Sequence, residues 1–295
     1  MARRQDVTTR RRNCNDLAVD EWVSGIDTVL CDLDGVVWLA HQPIPGSVDA
    51  IAALRRSGRR VLFVTNNSFA LLADHEAALA GIGVPAAGDV VSSSMAAASL
   101  VESGERVLVA GGPGVAEALQ TRGVDTVLNT GQPVDAPIDA VVVGMHREFD
   151  YDRLAVAADV VRRGARLVGT NSDSTYPTPN GLLPGGGALL AAIASASGAT
   201  PVVAGKPEQP MADLVSSMVD GVAGPSTPRM LMIGDRPETD GLFARRLGCR
   251  FALVRSGVTP AGSPSPHSAE LRVDADVADL AEVARRLVHP EREAQ

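Results

Sequence analysis

The sequence has little of three residue types that often carry stability or function: lysine, the aromatic residues and cysteine. Five Phe, two Trp and two Tyr make up only 3% of the 295 residues, so the core has to be built from Ala, Val and Leu. Cys14, Cys31 and Cys249 are too few and too widely spaced for a disulfide framework or a zinc site. This cysteine usage is typical of a protein of the reducing cytoplasm.

The sequence also lacks a positive net charge and a long hydrophobic run. Its net charge of -8 argues against a nucleic-acid-binding protein. No apolar stretch reaches the roughly 18 residues that a membrane-spanning helix needs. Five arginines lie within the first twelve residues, but the apolar segment of a secretory signal does not follow them. We therefore expect residues 1–25 to form a flexible basic arm, and we expect neither a nucleic-acid nor a membrane partner.

Lys206 is the only lysine among the 27 lysine and arginine residues. Lysine presents a compact ammonium group with three donors, whereas arginine presents a wide planar fork. A chain that uses arginine everywhere else and keeps lysine once indicates a position at which the two are not interchangeable. The plainer alternative is the chance survival of one surface lysine before a proline.

A buried strand that ends in two carboxylates organises the rest of the sequence. The β-branched, apolar residues 28–30 predict a parallel strand, and Asp32 and Asp34 lie at its carboxyl end, where open α/β sheets bind ligands. Extended backbone places both side chains on the same side. Two carboxylates this close need a compensating charge, for which Mg²⁺ is a common choice. The alternative is a plain turn at Asp34 and Gly35.

Alternating strand and helix signals predict an α/β protein with two parallel-sheet units. Residues 26–104 and 201–295 form the predicted first unit, and residues 105–200 form a second unit inserted into it. Strands are predicted at residues 28–30, 60–64, 89–92, 106–110, 140–143, 166–169, 202–204, 229–233 and 250–254. Helices are predicted at residues 47–58, 71–80, 95–102, 114–121, 151–163, 188–197, 208–218, 242–247 and 277–288. A turn-rich loop is predicted at residues 171–187.

Four polar loops stand at the ends of predicted strands or at a helix start. They contain Asp32 and Asp34, then Thr65-Asn66-Asn67, then Lys206, then Asp235 and Asp240. Together they supply what phosphoryl transfer needs. A carboxylate can attack phosphorus, and a metal ion with a fixed cation can neutralise the developing charge. A hydroxyl and backbone amides can hold the other oxygens, and a second carboxylate can move protons. Taken singly, Thr65-Asn66-Asn67 and Asp235 also fit helix caps, and Asp240 also fits a solvated helix face.

The four loops resemble, in order, the four motifs of the haloacid dehalogenase-like superfamily. They read Asp-Leu-Asp-Gly-Val, Thr-Asn-Asn-Ser, Gly-Lys-Pro and Gly-Asp-Arg-Pro-Glu-Thr-Asp. The insert between the second and third motifs resembles the C2-type cap of subclass IIA, which includes p-nitrophenylphosphatase-like, phosphoglycolate and glycerol-phosphate phosphatases. The resemblance implies a Rossmann-like parallel-sheet core with an inserted α/β cap. It also implies a Mg²⁺-dependent phosphatase that acts through an aspartyl-phosphate on a small phosphate ester, with glycerol phosphate or phosphoglycolate favoured.

The resemblance also implies a role for each residue of the four motifs. Asp32 is expected to be the nucleophile and a metal ligand, and Asp34 is expected to be the general acid/base and to offer its backbone carbonyl to the metal. Thr65 and the amide of Asn66 are expected to bind the phosphate, and Lys206 is expected to neutralise the charges of the phosphate and of Asp32. Asp235 is expected to be a ligand of Mg²⁺, and Asp240 is expected to stabilise the coordination of that ion. Dehalogenases of the superfamily lack a carboxylate at the position of Asp34, so this residue favours a phosphatase.

The insert is expected to recognise the leaving group through His146, Asn171 and Asp173, with Arg147 added if that group is anionic. His146 stands where subclass IIA often has an acidic residue, and a partly exposed loop histidine is the plainer interpretation. Glu238 stands where the subclass often has Asp, and we do not expect it to bind the metal.

Other functions remain open from the sequence. The substrate is alternatively a nucleotide or a sugar phosphate. The enzyme is alternatively a phosphotransferase or mutase that passes the phosphoryl group to a sugar. A catalytically silent binding protein of the same fold is a third alternative. A homodimer is an expectation that follows from the resemblance alone.

Overall fold

The structure is a computed structural model that describes residues 22–178, 181–220, 229–259, 261–263 and 271–289. The predicted basic arm lies almost wholly outside the described residues. In chain order the strands are β1 Thr28–Cys31, β2 Trp38–Leu39, β3 Gln42–Pro43, β4 Arg60–Thr65, β5 Val90–Ser92, β6 Arg106–Ala110, β7 Asp125–Leu128, β8 Ala140–Val143, β9 Arg166–Gly169, β10 Thr175–Thr178, β11 Gly181–Pro184, β12 Val202–Val203, β13 Met230–Gly234, β14 Arg250–Val254 and β15 Ala275–Val277.

Helices connect most of these strands, as the alternating pattern predicted. They are α1 Ser47–Arg56, α2 Leu72–Gly81, α3 Ser93–Ala98, α4 Pro113–Thr121, α5 Tyr151–Arg162, α6 Gly186–Ser197, α7 Gln209–Asp220, α8 Leu242–Arg246 and α9 Leu280–Val288. A π-helical turn at Pro237–Gly241 leads directly into α8. Within the described ranges, no helix has the length and apolar character needed to cross a lipid bilayer.

The first sheet places β1 in its interior. Six parallel strands follow the order β15-β14-β13-β1-β4-β5, and Cys31 of β1 lies opposite Ile233 on one side and Phe63 on the other. All four residues of β1 are buried. A strand covered on both faces needs an apolar run, which residues 29–31 provide. The loops that follow β1, β4 and β13 therefore leave the sheet at the same edge.

The second sheet has five parallel strands in the order β12-β9-β8-β6-β7. Val202 and Val203 form its edge strand beside β9, although the sequence pattern predicted both residues for the first unit. Two residues carry too little periodicity to reveal which sheet they join. The α/β fold with two parallel-sheet units is confirmed, whereas the exact domain limits at 104 and 201 stay a prediction.

The two units share a hydrophobic core. Val29 and Cys31 face a cluster on one side of the first sheet, which α1 and α9 cover with Leu54 and Leu287. Leu30 faces the other side, in a cluster that also contains residues from the second sheet, among them Val107 and Val142. Burial of each such side chain contributes roughly 1.5–3 kcal/mol. The second unit is therefore packed on the first through a continuous apolar cluster.

Several elements differ from the sequence-based expectation. Strand β7 was not predicted, because it has only two apolar residues and none of its four residues is buried. The hairpin of β10 and β11 lies inside the predicted turn-rich loop, and the described residues of β11 are all exposed. Strand β15 was not predicted, and it includes Val277, the first residue of the predicted last helix, which begins only at Leu280. The π-helical turn at Pro237–Gly241 has no signature in a periodicity of 3.6.

Ser47 is the first residue of α1 and does not occupy its N-cap position. Its hydroxyl donates to the carbonyl of Val37 at 2.8 Å. Gly46 precedes it with φ 81, a left-handed conformation that favours glycine. The serine therefore ties α1 to the loop that follows Asp34 instead of satisfying the helix N-terminus.

The loop after β4 is clamped against the second unit. The N–H of Gly114 donates to the carbonyl of Phe69 at 3.0 Å. A Cβ on Gly114 would collide with the carbonyl oxygen of Ala70 and would lie 2.9 Å from that of Ser68. Helix α4 can approach this loop so closely only because position 114 carries no side chain. The contact positions the loop that contains Thr65 and Asn66.

We expect Gly114→Ala to lower the free energy of unfolding by about 1–3 kcal/mol, since backbone atoms block the added methyl group. Gly81→Ala is the matched control, because a Cβ at position 81 meets no atom within 4 Å and its φ is not positive. The control should be neutral or slightly stabilising. Urea unfolding of both variants measures the difference. Equal stabilities would show that the close approach at Gly114 is not required.

Candidate active site

Four loops meet at the carboxyl edge of the first sheet. Asp32 follows β1, Asn66 follows β4, and Asp235 follows β13. Lys206 lies between β12 and α7, and its backbone N–H donates to the side-chain oxygen of Asn66 at 2.8 Å. All four predicted motifs therefore contribute to one site, which matches the general location of ligands in open parallel sheets.

A buried ammonium group lies between two carboxylates at the centre of the site. The Nζ of Lys206 is 2.9 Å from Oδ1 of Asp32 and 2.7 Å from Oδ1 of Asp240. The lysine is only 1% exposed. Burial alone would lower the pKa of Lys206, but the adjacent charges of Asp240 and Asp32 outweigh it and raise the pKa above its usual range. Lys206 therefore stays protonated at every physiological pH.

Asp32 is held in one orientation by two donors. Its Oδ1 accepts a hydrogen bond from the N–H of Leu33 at 2.8 Å and contacts Lys206. The backbone N–H of Asp32 donates to the carbonyl of Ile233 in the neighbouring strand at 2.9 Å. The carboxylate lines a cavity, so a substrate can reach it.

Asp34 lies two residues further along and lines the same cavity. Burial, and then the charge of Asp32, raise the pKa of Asp34 to about 6. A carboxyl group whose pKa lies this close to neutral pH can both give and take a proton, which suits general acid/base catalysis. Gly35 has φ +85, and a Cβ there would collide with the carboxylate of Asp235. Glycine at position 35 is therefore required both by the turn and by the approach of the third carboxylate.

Asp235 and Asp240 come from the loop after β13 and are both buried. Oδ2 of Asp235 accepts a hydrogen bond from the N–H of Val258 at 2.5 Å. Within the described ranges, Oδ1 of Asp235 is buried without a hydrogen-bond partner. Burial, then the charges of Asp240 and Asp32, raise the pKa of Asp235 to about 7. Oδ2 of Asp240 accepts from the N–H of Arg236 at 3.1 Å, so both oxygens of Asp240 are engaged.

The carboxylates fit a hard divalent cation. Oxygens of Asp32, Asp235 and Asp240 lie within 4.8 Å of one another. A cation beside Asp32 and Asp235 would supply the missing partner of Asp235 Oδ1 and would offset both the burial and the repulsion that raise the pKa of Asp235. Oxygen-only donors favour Mg²⁺ over softer metals. Asp240 is paired with Lys206, which fits the supporting position that the resemblance implied for it.

Thr65 and Asn66 lie beside this cluster and line the cavity. The Thr65 hydroxyl accepts a hydrogen bond from the N–H of Asn67 at 3.1 Å. The side chain of Asn66 donates to the carbonyl of Lys206 at 3.0 Å and to Oδ2 of Asp173 at 3.1 Å. Asn66 thus connects the first unit, the lysine loop and the second unit.

Two of the three predicted residues of the second unit reach the cavity. Asn171 and Asp173 line it, and burial raises the pKa of Asp173. The described residues that line the cavity do not include His146, whose Nδ1 accepts from the N–H of Glu148 at 3.2 Å. The guanidinium of Arg147 lies 5.4 Å from the ring centroid of Phe69. Substrate contact by these residues stays a prediction.

The cavity has a volume of about 680 Å³ and is lined by all four loops and by the second unit. Sequence reasoning missed Arg236, Thr239 and Tyr176 among its lining residues. Arg236 and Thr239 belong to the fourth motif, so their neighbours gave a signal for them. Tyr176 lies on the unpredicted strand β10, and only the folded hairpin brings it to the site.

We expect Mg²⁺ to stabilise the protein more at pH 7.5 than at pH 5. The raised pKa values of Asp34 and Asp235 mean that the metal-free folded state binds more protons than the unfolded state between about pH 4 and pH 7. Stability of the metal-free protein therefore falls as the pH rises through this range. Mg²⁺ binds the deprotonated carboxylates, so its stabilisation grows over the same range.

Thermal unfolding with about 5 mM Mg²⁺ or with EDTA measures this effect, and a gain of ~1 kcal/mol corresponds to about 2–4 °C in a chain of this size. Asp235→Asn should abolish the Mg²⁺-dependent shift. Asp74→Asn, at an exposed position, should retain it. A shift of equal size at both pH values, or one that survives Asp235→Asn, would contradict the assigned metal site.

Comparison with known proteins agrees with the geometry. A sequence profile described as haloacid dehalogenase (HAD)-like hydrolase matches residues 29–125. A second profile, described as HAD-hydrolase-like, matches residues 203–283. The chain is 38% identical over 240 residues to the D-glycerol 3-phosphate phosphatase of Mycobacterium tuberculosis, a match that covers 80% of this chain but only 64% of that protein's length. It is 33% identical to phosphoglycolate phosphatase 2 of Arabidopsis thaliana, over 79% of this chain and 84% of that one.

A solved structure shows the same fold. The crystal structure of glycerol phosphate phosphatase from M. tuberculosis in complex with magnesium superimposes with a TM-score of 0.79 and 32% identity, covering 91% of this chain and 79% of the other. Both parts of the chain, before and after the insert, match the same kind of hydrolase. The chain belongs to the haloacid dehalogenase-like hydrolase family, and within it to the phosphoric monoester hydrolases.

Proposed function

We propose that the chain is a Mg²⁺-dependent phosphatase in which Asp32 takes the phosphoryl group and water then removes it. One observation carries the proposal: Lys206 fixes Asp32 at 2.9 Å, beside an Asp235 oxygen that has no partner in the described part of the chain. This arrangement supplies a nucleophile, a fixed cation and a place for a metal ion within one cavity.

The first step uses the carboxylate of Asp32 as the nucleophile on phosphorus. A bond forms between its oxygen and phosphorus, and the bond from phosphorus to the leaving oxygen breaks. Asp34, whose pKa of about 6 lets it hold a proton, gives that proton to the departing alcohol. Thr65 and the amide of Asn66 hold the phosphoryl oxygens, and Lys206 neutralises their charge.

The second step reverses the role of Asp34. Now deprotonated, it takes a proton from water, whose oxygen attacks the phosphorus of the aspartyl-phosphate and releases Asp32. Asp32, Asp235 and the backbone carbonyl of Asp34 would hold Mg²⁺, which would supply positive charge to the phosphoryl oxygens. The fixed charge of Lys206 acts in both steps and needs no rearrangement.

The favoured substrates are glycerol phosphate and phosphoglycolate, the compounds named for the two relatives. A nucleotide or sugar phosphate is the alternative, because a cavity of about 680 Å³ is larger than either favoured compound requires. Phosphate release from a panel of these esters, with p-nitrophenyl phosphate as a general substrate, ranks them by kcat/KM. Added acceptor sugars distinguish hydrolysis from phosphotransfer, since only a transferase or mutase forms a new sugar phosphate.

A catalytically silent binding protein is disfavoured, because every residue type of the chemistry is present and Asp32, Lys206 and Asp240 are in contact. We also propose a cytoplasmic location, which the unpaired thiols of Cys31 and Cys249 support. A homodimer remains a proposal that rests on the family resemblance alone.

We expect Asp32→Asn to lower kcat by at least about 10³-fold, since the amide cannot act as the nucleophile. Asp34→Asn should instead accumulate phosphoenzyme with p-nitrophenyl phosphate, whose leaving group needs little protonation, because the water step lacks its base. Acid quenching followed by intact-protein mass spectrometry detects one added phosphoryl group, and hydroxylamine should remove it. Asp74→Asn is the control with parental turnover. Phosphoenzyme in the Asp32→Asn variant would contradict the assignment.

We expect Lys206→Arg to lower kcat/KM by about 100-fold or more, although it keeps the charge. The slot between Asp32 and Asp240 fits a compact ammonium with contacts of 2.9 and 2.7 Å, and a planar guanidinium would displace one carboxylate. The reciprocal exchange Arg122→Lys, at an exposed position, is the control and should have no effect. If Lys206→Arg is as active as the parent, the argument from the single lysine is wrong.

A further inference from the structure

We propose that Asn171 of the second unit is a positioning residue for phosphate binding. It holds the peptide group between Asn66 and Asn67, and through that peptide it sets the orientation of the Thr65 hydroxyl. The inference rests on the proposed phosphatase function and adds a role for the second unit beyond covering the cavity and recognising the leaving group.

The Asn171 side chain is engaged at both ends by backbone groups. Its Nδ2 donates to the carbonyl of Asn66 at 2.8 Å, and its Oδ1 accepts from the N–H of Asp173 at 3.1 Å. The residue is only 4% exposed. The opposite orientation of the amide would place its oxygen against the Asn66 carbonyl and its nitrogen against an N–H group. The hydrogen-bond pattern therefore fixes the amide in the direction that supports Asn66.

The peptide group between Asn66 and Asn67, which Asn171 supports, is hydrogen-bonded to the side chain of Thr65. The carbonyl of Asn66 receives a second donor, the hydroxyl of Ser93, at 2.7 Å. In the same peptide plane, the N–H of Asn67 donates to the Thr65 hydroxyl oxygen at 3.1 Å. A rigid planar peptide transmits orientation from one end to the other. Two donors on the carbonyl therefore determine where the N–H points.

The direction of that N–H decides how the Thr65 hydroxyl behaves. Its oxygen is used as the acceptor for the Asn67 N–H, so its proton is left to donate to another group. No described residue accepts that proton, and the side chain lines the cavity beside Asp32. A phosphoryl oxygen is the fitting acceptor. Rotation of the 66–67 peptide would remove the N–H and free the hydroxyl to turn away.

The neighbouring contacts explain why the support comes from the second unit. Thr170, next to Asn171, donates from its hydroxyl to that of Ser68 at 3.0 Å. A Cβ on Gly144 would lie 2.8 Å from the same Ser68 oxygen. The residues at the ends of β8 and β9 thus contact residues 65–68 at the end of β4, which we call the phosphate loop. Among them, Asn171 contacts the peptide next to Thr65.

The chain offers a closely matched control in Asn129. That residue is also 4% exposed and lies in the second unit. Its Oδ1 accepts from the N–H two residues ahead, that of Gly131, at 3.2 Å, and its Nδ2 donates to the carbonyl of Arg153 at 2.9 Å. The hydrogen-bond pattern is the same as that of Asn171, but neither partner belongs to the cavity. Loss of either side chain should cost similar stability, whereas only Asn171 supports the phosphate loop.

The experiment compares Asn171→Ala with Asn129→Ala in the full chain with Mg²⁺ present. Three quantities are measured: the unfolding midpoint, the affinity for inorganic phosphate by calorimetry, and kcat/KM for p-nitrophenyl phosphate. We expect both variants to lose thermal stability to a similar degree. Asn171→Ala alone should bind phosphate and turn over substrate about 10- to 100-fold less well, which is the scale expected for a misplaced binding group.

A second pair, Asn171→Asp and Asn129→Asp, separates the two ends of the side chain. Aspartate keeps an acceptor for the N–H two residues ahead but has no donor for the carbonyl. Asn171→Asp should therefore lose phosphate affinity as Asn171→Ala does, while Asn129→Asp keeps it. Parental phosphate affinity in both Asn171 variants would overturn the inference. An inactive parent protein would instead overturn the proposed function, so the two failures are distinguishable.

Discussion

The buried ammonium group of Lys206 is the interaction on which the rest of the site depends. It lies between Asp32 and Asp240, with almost no exposure to solvent. A buried cation is tolerable only when paired, and a buried carboxylate has the same requirement. One ammonium cannot neutralise Asp32, Asp235 and Asp240 together, so the cluster retains negative charge. Burial raises the pKa of Asp235, and this surplus negative charge from Asp240 and Asp32 raises it further. The same surplus explains why a divalent cation fits beside Lys206.

This charge balance ties the chemistry to the folding of the chain. Asp32 and Asp235 follow adjacent strands of one parallel sheet, so their carboxylates converge without any long loop. Gly35 lets the turn after β1 come within contact of Asp235, where a side chain would collide. Lys206 comes from the connection between the second sheet and the first. The cation that compensates the carboxylates thus lies in the segment in which the chain returns from the inserted unit to the first unit.

The second unit is a structural partner of the phosphate loop as well as one wall of the cavity. Its strands share a hydrophobic cluster with the first sheet, and Gly114 and Asn171 contact the backbone of the loop after β4. Asn66 connects these parts, because its side chain donates to Asp173 and to the carbonyl of Lys206 and accepts from the N–H of Lys206. A phosphoryl group bound here would therefore be held by a loop that both units position.

Much of this was predictable because the chemistry requires particular residue types at particular places. The sequence by itself determined the α/β class, most strands and helices, and the convergence of Asp32, Thr65, Lys206 and Asp235. Strand β1 could be predicted because its residues are β-branched or apolar. The functional importance of Lys206 could be predicted because arginine fills every other lysine or arginine position. Tertiary structure alone decided which sheet Val202 joins, since two residues carry no periodicity.

Tertiary structure also decided the surroundings of the motifs. It brought Tyr176 to the cavity on strand β10, which the sequence did not predict, since its partner strand β11 is exposed and shows no alternation of buried and exposed residues. It placed Asn171 under Asn66, because a hydrogen bond across 105 positions of the chain leaves no local signal. Local sequence encodes the elements and the reactive groups, whereas the contacts that orient those groups arise only when the two sheets pack together.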